Sequence, residues 1–399
     1  MPRRRTETWL AVCAVAVGLL ITGILGMWGY ISVTSKPHHP NPQDAPSVAR
    51  GTPAQQWTAA VTRGRQMARS ALTEQNLPGL SVAVGAGGEI VWAEGFGWAD
   101  LEKQLPVSPD MRFRIGTASV ALTSAAVGLL LEKGQLKLDD EIQRYVRGFP
   151  KKEWPVTLRQ LMGHLSGVRN DGGDEGPLLA EHCRRPADAL LSFADHPLLF
   201  EPGSRYEYSS YGWIVVSAAV EAAAGEAFLS FVRKQIFEPL GMDGTIADSM
   251  IAPIPDRVTS YFPRFAADPH YGLHLMRPLD YSCYAGASVF LSTPSDLVRF
   301  GRAVNAGTLL RPATVQLLQT SQRLSSGQET GYGLGWDLEA VSLAGTHTRA
   351  VGHDGDVLGG MAASLMTFPE QGIVVAVLSN ISYTDTNGVA SRIAQAFAE

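Results

Sequence analysis

Lysine is scarce in this chain of 399 residues, and the formal charge is -5 at pH 7. No basic block follows Arg3-Arg4-Arg5, so the composition carries no nucleic-acid footprint. Cysteine is rarer still. Cys13, Cys183 and Cys283 are an odd count without close pairs, which excludes a disulfide framework and a zinc knuckle and leaves a single Cys183–Cys283 bridge open. Internal repeats are absent, and the only biased segment is rich in proline. The glycine cluster Gly85-Ala86-Gly87-Gly88 feeds a second strand rather than a helix, so it reads as a hairpin turn and not as a dinucleotide loop. His270 and His274 have the spacing of a metal pair, but Pro269 and Gly272 break the helix that would align them. No cofactor and no metal site is therefore expected.

Long apolar runs are few, and the first lies near the N-terminus. Trp9 to Ile31 is uncharged and long enough to cross a bilayer, with Trp9, Trp28 and Tyr30 as interface anchors. Arg3, Arg4 and Arg5 precede it, so residues 1–8 are expected as a cytoplasmic tail and everything after Ile31 as extracytoplasmic, periplasmic or extracellular. A cleavable signal peptide is the competing reading. The apolar region is long for one, no clean A-x-A site follows, and the wider twin-arginine context is missing. Residues 32–54 carry Pro37, Pro40, Pro42, Pro46 and Pro53 among polar residues and read as a stiff, extended tether. The folded domain is expected over residues 55–399.

Within that domain, residues 56–77 have helical spacing closed by Asn76-Leu77-Pro78-Gly79, and residues 80–84 and 89–97 read as strands. From Gly134 to Tyr281 the pattern is mostly helices and loops, with helices expected over 139–146, 158–164, 187–194, 212–224 and 228–237. Strand signals return over 286–291, 332–338, 362–368 and 373–379, before a last amphipathic helix over 387–397. The fold class is α+β: an antiparallel sheet flanked by helices, built from residues 55–114 and 282–399, with an all-α insertion over residues 115–281.

The second apolar run is the centre of the chain. Residues 115–131 hold no charge and place apolar side chains on every face of a helix, which marks a helix buried on all sides. Thr117 and Ser119 fall in its first turn, where backbone N–H groups are unsatisfied and the dipole favours developing negative charge. From this stretch alone they read as caps as readily as nucleophiles.

Phe113-Arg114-Ile115, Gly163-His164-Leu165-Ser166-Gly167-Val168-Arg169, Gly203-Ser204 with Tyr208-Ser209-Ser210, Tyr332-Gly333-Leu334-Gly335-Trp336 and Gly352-His353-Asp354-Gly355 follow one another in a telling order. In order and spacing, the chain over residues 55–399 resembles the serine β-lactamase and penicillin-binding-protein family, in the branch of class C β-lactamases, DD-peptidases and esterases. The resemblance implies a nucleophile in S-x-x-K at the start of the buried helix, with hydroxyl and amine one turn apart. It also implies a tyrosine in Y-x-N as proton relay and an H-x-G or K-T-G strand lining the groove.

The match is partial. The serine position is Thr117 and the lysine position is Val120, and no lysine of the chain lies three residues after a Ser or Thr. Tyr208 takes the tyrosine position and Ser210 that of the asparagine, while His353 and Gly355 keep the third motif with Asp354 between them. That carboxylate stands where the family often binds one, which argues against anionic substrates. Without the resemblance, Tyr208 reads as core packing, His353 as a loop residue and His164 as a partner for helix-end backbone. Two functions follow. One is a membrane-anchored acyl hydrolase of an amide, ester or peptide, with Thr117, Tyr208 and His353 catalytic and Ser119, Ser210 and Gly355 binding substrate. The other is a catalytically silent binding or interaction protein on the same scaffold, since losing a general base costs roughly a hundred- to ten-thousand-fold in rate.

Overall fold

The computed structural model describes residues 3–170, 177–357 and 359–399; the first two residues of the expected cytoplasmic tail lie outside them. The strands are β1 (Ser47–Ala49), β2 (Gly79–Ala86), β3 (Glu89–Asp100), β4 (Leu105–Pro106), β5 (Phe113–Arg114), β6 (Ile246–Ala247), β7 (Tyr261–Pro263), β8 (Leu273–Leu275), β9 (Phe290–Ser292), β10 (Asp337–Leu343), β11 (Thr346–Val357), β12 (Met361–Phe368) and β13 (Ile373–Ser379). The helices are α1 (Arg3–Thr34), α2 (Thr58–Glu74), α3 (Ser119–Glu132), α4 (Leu158–Met162), α5 (Leu190–Phe193), α6 (Ser210–Ala224), α7 (Phe228–Val232), α8 (Glu238–Leu240), α9 (Pro294–Asn305), α10 (Pro312–Leu318) and α11 (Thr386–Ala398).

The main sheet is antiparallel and runs β1-β3-β2-β13-β12-β11-β10. It joins strands from both ends of the domain, because β2 pairs with β13 from Val374↔Gly85 to Ser379↔Leu80. Its central strands are apolar on both faces. Val82, Val84, Val375 and Val377 enter one core with α2 and α11, while Ala83, Val374, Ala376 and Leu378 enter the other with α3 and α9. Alternation sends successive side chains to opposite faces, so a strand covered on both sides needs an unbroken apolar run. In α2, Ala60, Val61, Gly64, Ala68, Ala71 and Leu72 form the buried face, and Gly64 lets the Trp92 ring sit against the helix.

α3, preceded by a 3-10 turn at Gly116–Ala118, is the buried helix that its composition requires. Several expectations need correction. The insertion is not all helical, since β6 pairs with β9 and β7 pairs with β8. Residues 332–336 are not strand: β10 begins only at Asp337, after a turn that Gly335 makes at φ +94°. His353 lies inside β11, on a strand as the resemblance implies, and not on the loop read without it. The proline-rich segment is not a free tether either, because β1 pairs with β3 and Arg69 donates to the carbonyls of Pro42 and Ala45 (both 2.8 Å). Proline set the expectation; strand-edge pairing and one arginine overrode it.

Candidate active site

The turn that leads into α3 meets β11 at the candidate site. β10 pairs with β11 only up to Asp337↔Gly352, so residues 353–357 present an open strand edge, and the turn before α3 packs against it. Gly355 makes this approach achievable: a Cβ there would collide with the Ile115 carbonyl and lie 2.9 Å from the amide nitrogen of Thr117. Thr117 is thereby brought onto the strand, and its hydroxyl donates to the backbone carbonyl of Asp354 at 3.0 Å. The same carbonyl accepts from Nδ1 of His353 at 2.7 Å. A carbonyl only accepts, so Nδ1 carries the proton, and in the neutral ring Nε2 is left to accept from the Tyr332 hydroxyl at 3.0 Å.

Tyr332 is held by a turn pinned to α3. The Ser124 hydroxyl donates to the Leu334 carbonyl at 2.6 Å and accepts from Trp336 Nε1 at 3.1 Å. Gly333 and Gly335 leave no room for side chains, the first against Leu318 and the second against Ser124 and the Trp213 ring. Burial pushes the Tyr332 phenol well above its ordinary range, helped by Tyr208 and Asp337 nearby, so it stays protonated.

His164 completes the wall. It holds φ +58° after α4, and its Nδ1 accepts from the Ser209 amide at 3.0 Å. Trp213 Nε1 approaches Nε2 at 3.4 Å, but a neutral imidazole offers one lone pair and the shorter contact takes it. Burial, and after it the neighbouring His353, holds the ring far below its ordinary pKa, hence neutral. The Tyr208 ring stacks on His164 at 4.1 Å between centroids, Tyr332 lies at 4.8 Å and Tyr206 at 5.8 Å. Burial also raises the Tyr206 phenol. The result is an aromatic wall in which His164, Tyr206 and Tyr332 are uncharged, linked to Thr117 through His353 and the Asp354 carbonyl.

The structure thus joins Thr117, Tyr208, His353 and Gly355 through one run of contacts. Ser210 is the buried first residue of α6, capped by Ser209. Ser119 is fully enclosed in the first turn of α3, with its hydroxyl unbonded. Val120, at the lysine position, is also fully buried. The expectation for Asp354 is overturned. Its carboxyl group accepts from Asn387 Nδ2 at 2.7 Å, on the α11 side of the sheet, because side chains alternate along β11. Burial raises its pKa there. Tyr332, and the backbone carbonyl of Asp354, are site groups that a reading of side chains by type did not single out; the flanking Gly333 and Gly335 were the available signal.

Arg114 of the Phe113-Arg114-Ile115 motif is structural. Its guanidinium pairs with Asp248 (2.6 Å) in the interior, caps the Leu279 and Gly359 carbonyls and lies over the Tyr281 ring. Cys183 and Cys283 form a disulfide. His270 bonds Asp268 in a 3-10 turn, whereas His274 lies in β8 against Phe262.

The Beta-lactamase family profile matches residues 64–398. The chain belongs to this family. Among β-lactamase relatives, the mitochondrial serine beta-lactamase-like protein LACTB of Mus musculus is 26% identical over 90% of this chain and 83% of its own. Penicillin-binding protein 4* of Bacillus subtilis is 27% identical over 69% and 62%. The β-lactamase-type fold is shared with the D-amino acid amidase of Ochrobactrum anthropi, at TM-score 0.72 and 22% identity over 85% of this chain and 99% of that one. It is shared too with a penicillin-binding protein homologue from Pyrococcus abyssi, at 0.71 and 24% over 84% and 77%.

Proposed function

We propose that the chain is a membrane-anchored, exported member of the β-lactamase family that binds an amide-, ester- or peptide-type ligand in the cleft without the family's acyl-transfer rate. One observation carries this reading: the Thr117 hydroxyl donates its hydrogen bond to a backbone carbonyl, and one helical turn on, where an amine would take the proton, stands buried Val120. His353 does not substitute, because both ring nitrogens are engaged, by Asp354 and Tyr332. A carbonyl is not a base, and the missing base is worth about 3 to 5 kcal/mol of barrier. The uncharged aromatic wall suits an apolar or neutral ligand group better than a carboxylate.

Export is supported by the apolar span Val12–Thr34 after Arg3-Arg4-Arg5, and by the disulfide, which forms in oxidising compartments. The test is intact-mass analysis of the full chain after exposure to an acylating β-lactam and to a fluorophosphonate. No adduct is expected. An adduct on Thr117 would replace this reading with a slow acyl hydrolase, a reading favoured by the Thr117 amide at the helix start facing bare Gly355.

A further inference from the structure

The anchor does not end in a flexible leash. The apolar span closes at Thr34, and four residues later His38 is already on the domain, its amide donating to Asn76 Oδ1 at 2.9 Å. Four residues reach at most about 14 Å, so the domain surface near Asn76 lies that close to the bilayer. The same Asn76 donates through Nδ2 to the Pro269 carbonyl at 3.0 Å, which ties the landing point to the loop joining β7 and β8. From this loop Arg264 grips the last turn of α1. It donates to Thr34 Oγ1 (3.1 Å), the Thr34 carbonyl (3.2 Å) and the Tyr30 hydroxyl (3.4 Å), with its guanidinium 5.7 Å over the Tyr30 ring. Gly272 is required for this grip, since a side chain there would strike the guanidinium.

We propose that the β7–β8 hairpin is a bilayer-contact face that seats the domain on the lipid headgroups beside the anchor. The proposal rests on the anchor reading above. Leu275 on β8 is 66% exposed. On the other face of the hairpin Phe262 packs edge-on against Tyr383 and beside His274, and His270, His274 and Arg277 are exposed on the hairpin and its continuation. Tyrosine, with an apolar body and a polar tip, together with arginine is a composition that settles at headgroup level. The occupant is the surface of the membrane that α1 crosses, because no other surface is forced to within the reach of four residues.

The experiment uses the full chain with Cys13→Ala, carrying a single environment-sensitive fluorophore at Leu275→Cys or at His347→Cys. His347 is exposed near the far end of the twelve-residue strand β11, about 35 Å from the β11–β12 turn on which the hairpin rests. Each chain is reconstituted into vesicles of phosphatidylcholine and phosphatidylglycerol, recovered by flotation, and titrated with brominated-chain lipid. Quenching at position 275 at least about threefold stronger than at 347 is expected, as for a group at the interface. Flotation with equal quenching at the two positions overturns the bilayer-contact face and leaves the anchor standing. Failure of both chains to float with the vesicles overturns the anchor reading and the contact face together.

Discussion

Asp354 divides its labour between two faces of one strand. Its carbonyl serves Thr117 and His353 in the cleft, and its carboxyl group is enclosed against Asn387 on the other side. Burial raises the carboxyl pKa in the folded chain above its value in the unfolded one, so the favourable contribution is complete below the unfolded pKa and is lost as pH rises through the folded value. Asp354→Asn keeps an acceptor for Asn387 and removes this ionisation. The stability of the variant relative to the parent should therefore increase from about pH 4 upward, read from denaturant midpoints across pH; a difference independent of pH would show that the carboxyl group does not titrate there. In the cleft, Thr117→Ser with Val120→Lys restores a hydroxyl and an amine one turn apart. Covalent labelling by an acylating probe should rise by roughly a hundredfold or more, and Tyr208→Phe in that background should lower it again. A lysine at this buried position is costly unless deprotonated or hydrogen-bonded, so the double variant is first shown folded by its thermal transition. A folded double variant that reacts no faster than the parent would mean that the cleft has diverged beyond these two positions.

Between elements, the decisive join is the turn at residues 332–336 locked onto α3 by one hydroxyl. Ser124 is fully buried and serves a carbonyl and an indole N–H at once, so Ser124→Ala leaves both unpaired at a cost of about 1 to 3 kcal/mol. The same change should free the Tyr332 ring from His353, seen as a loss of near-ultraviolet circular dichroism before global melting; a melting curve that shifts without it would place Tyr332 outside this lock. Such joins explain how far a sequence can be read. α2, α6, α11 and the β2–β3 hairpin announce themselves through periodicity, caps and the Gly87-Gly88 turn, all of which act locally. β11 does not, because the stretch Gly352-His353-Asp354-Gly355 lacks strand propensity and becomes strand only through β12 on one side and the close approach of the turn before α3 on the other. β1 is similar: three exposed residues after four prolines and polar neighbours become strand only when the β3 edge is present. That Thr117, Tyr208, His353 and Gly355 come together was legible through motif order. The direction of the Asp354 side chain was not, since it depends on the register of a strand that local pattern does not reveal.

At the scale of the molecule, one sheet separates two cores, and the disulfide closes a loop of 100 residues on one side of it. That loop carries Tyr206, Tyr208 and Ser210, whereas Thr117, His164, Tyr332 and His353 lie outside it. The two halves of the cleft are thus held partly by different cross-links: the outer half by sheet pairing and the Ser124 lock, the inner half by helix packing plus Cys183–Cys283. Ser282 reinforces the bridge by accepting from the Cys183 amide at 3.0 Å. In the chain-entropy account, a loop of this length contributes up to about 4.7 kcal/mol through the unfolded state. Reduction, or Cys183→Ala with Cys283→Ala, should therefore lower the melting temperature. Its local effect should be uneven. Amide hydrogen exchange is expected to accelerate across 183–283, where the tyrosine wall is mounted, while β2, β12 and β13 keep their protection, because both of their faces remain packed. Ligand affinity in the cleft should fall with the loosened wall even under conditions where the sheet is intact. Exchange that quickens equally in β13 and in α6 would mean that the two sides of the cleft unfold as one unit and that the disulfide does not hold the wall separately.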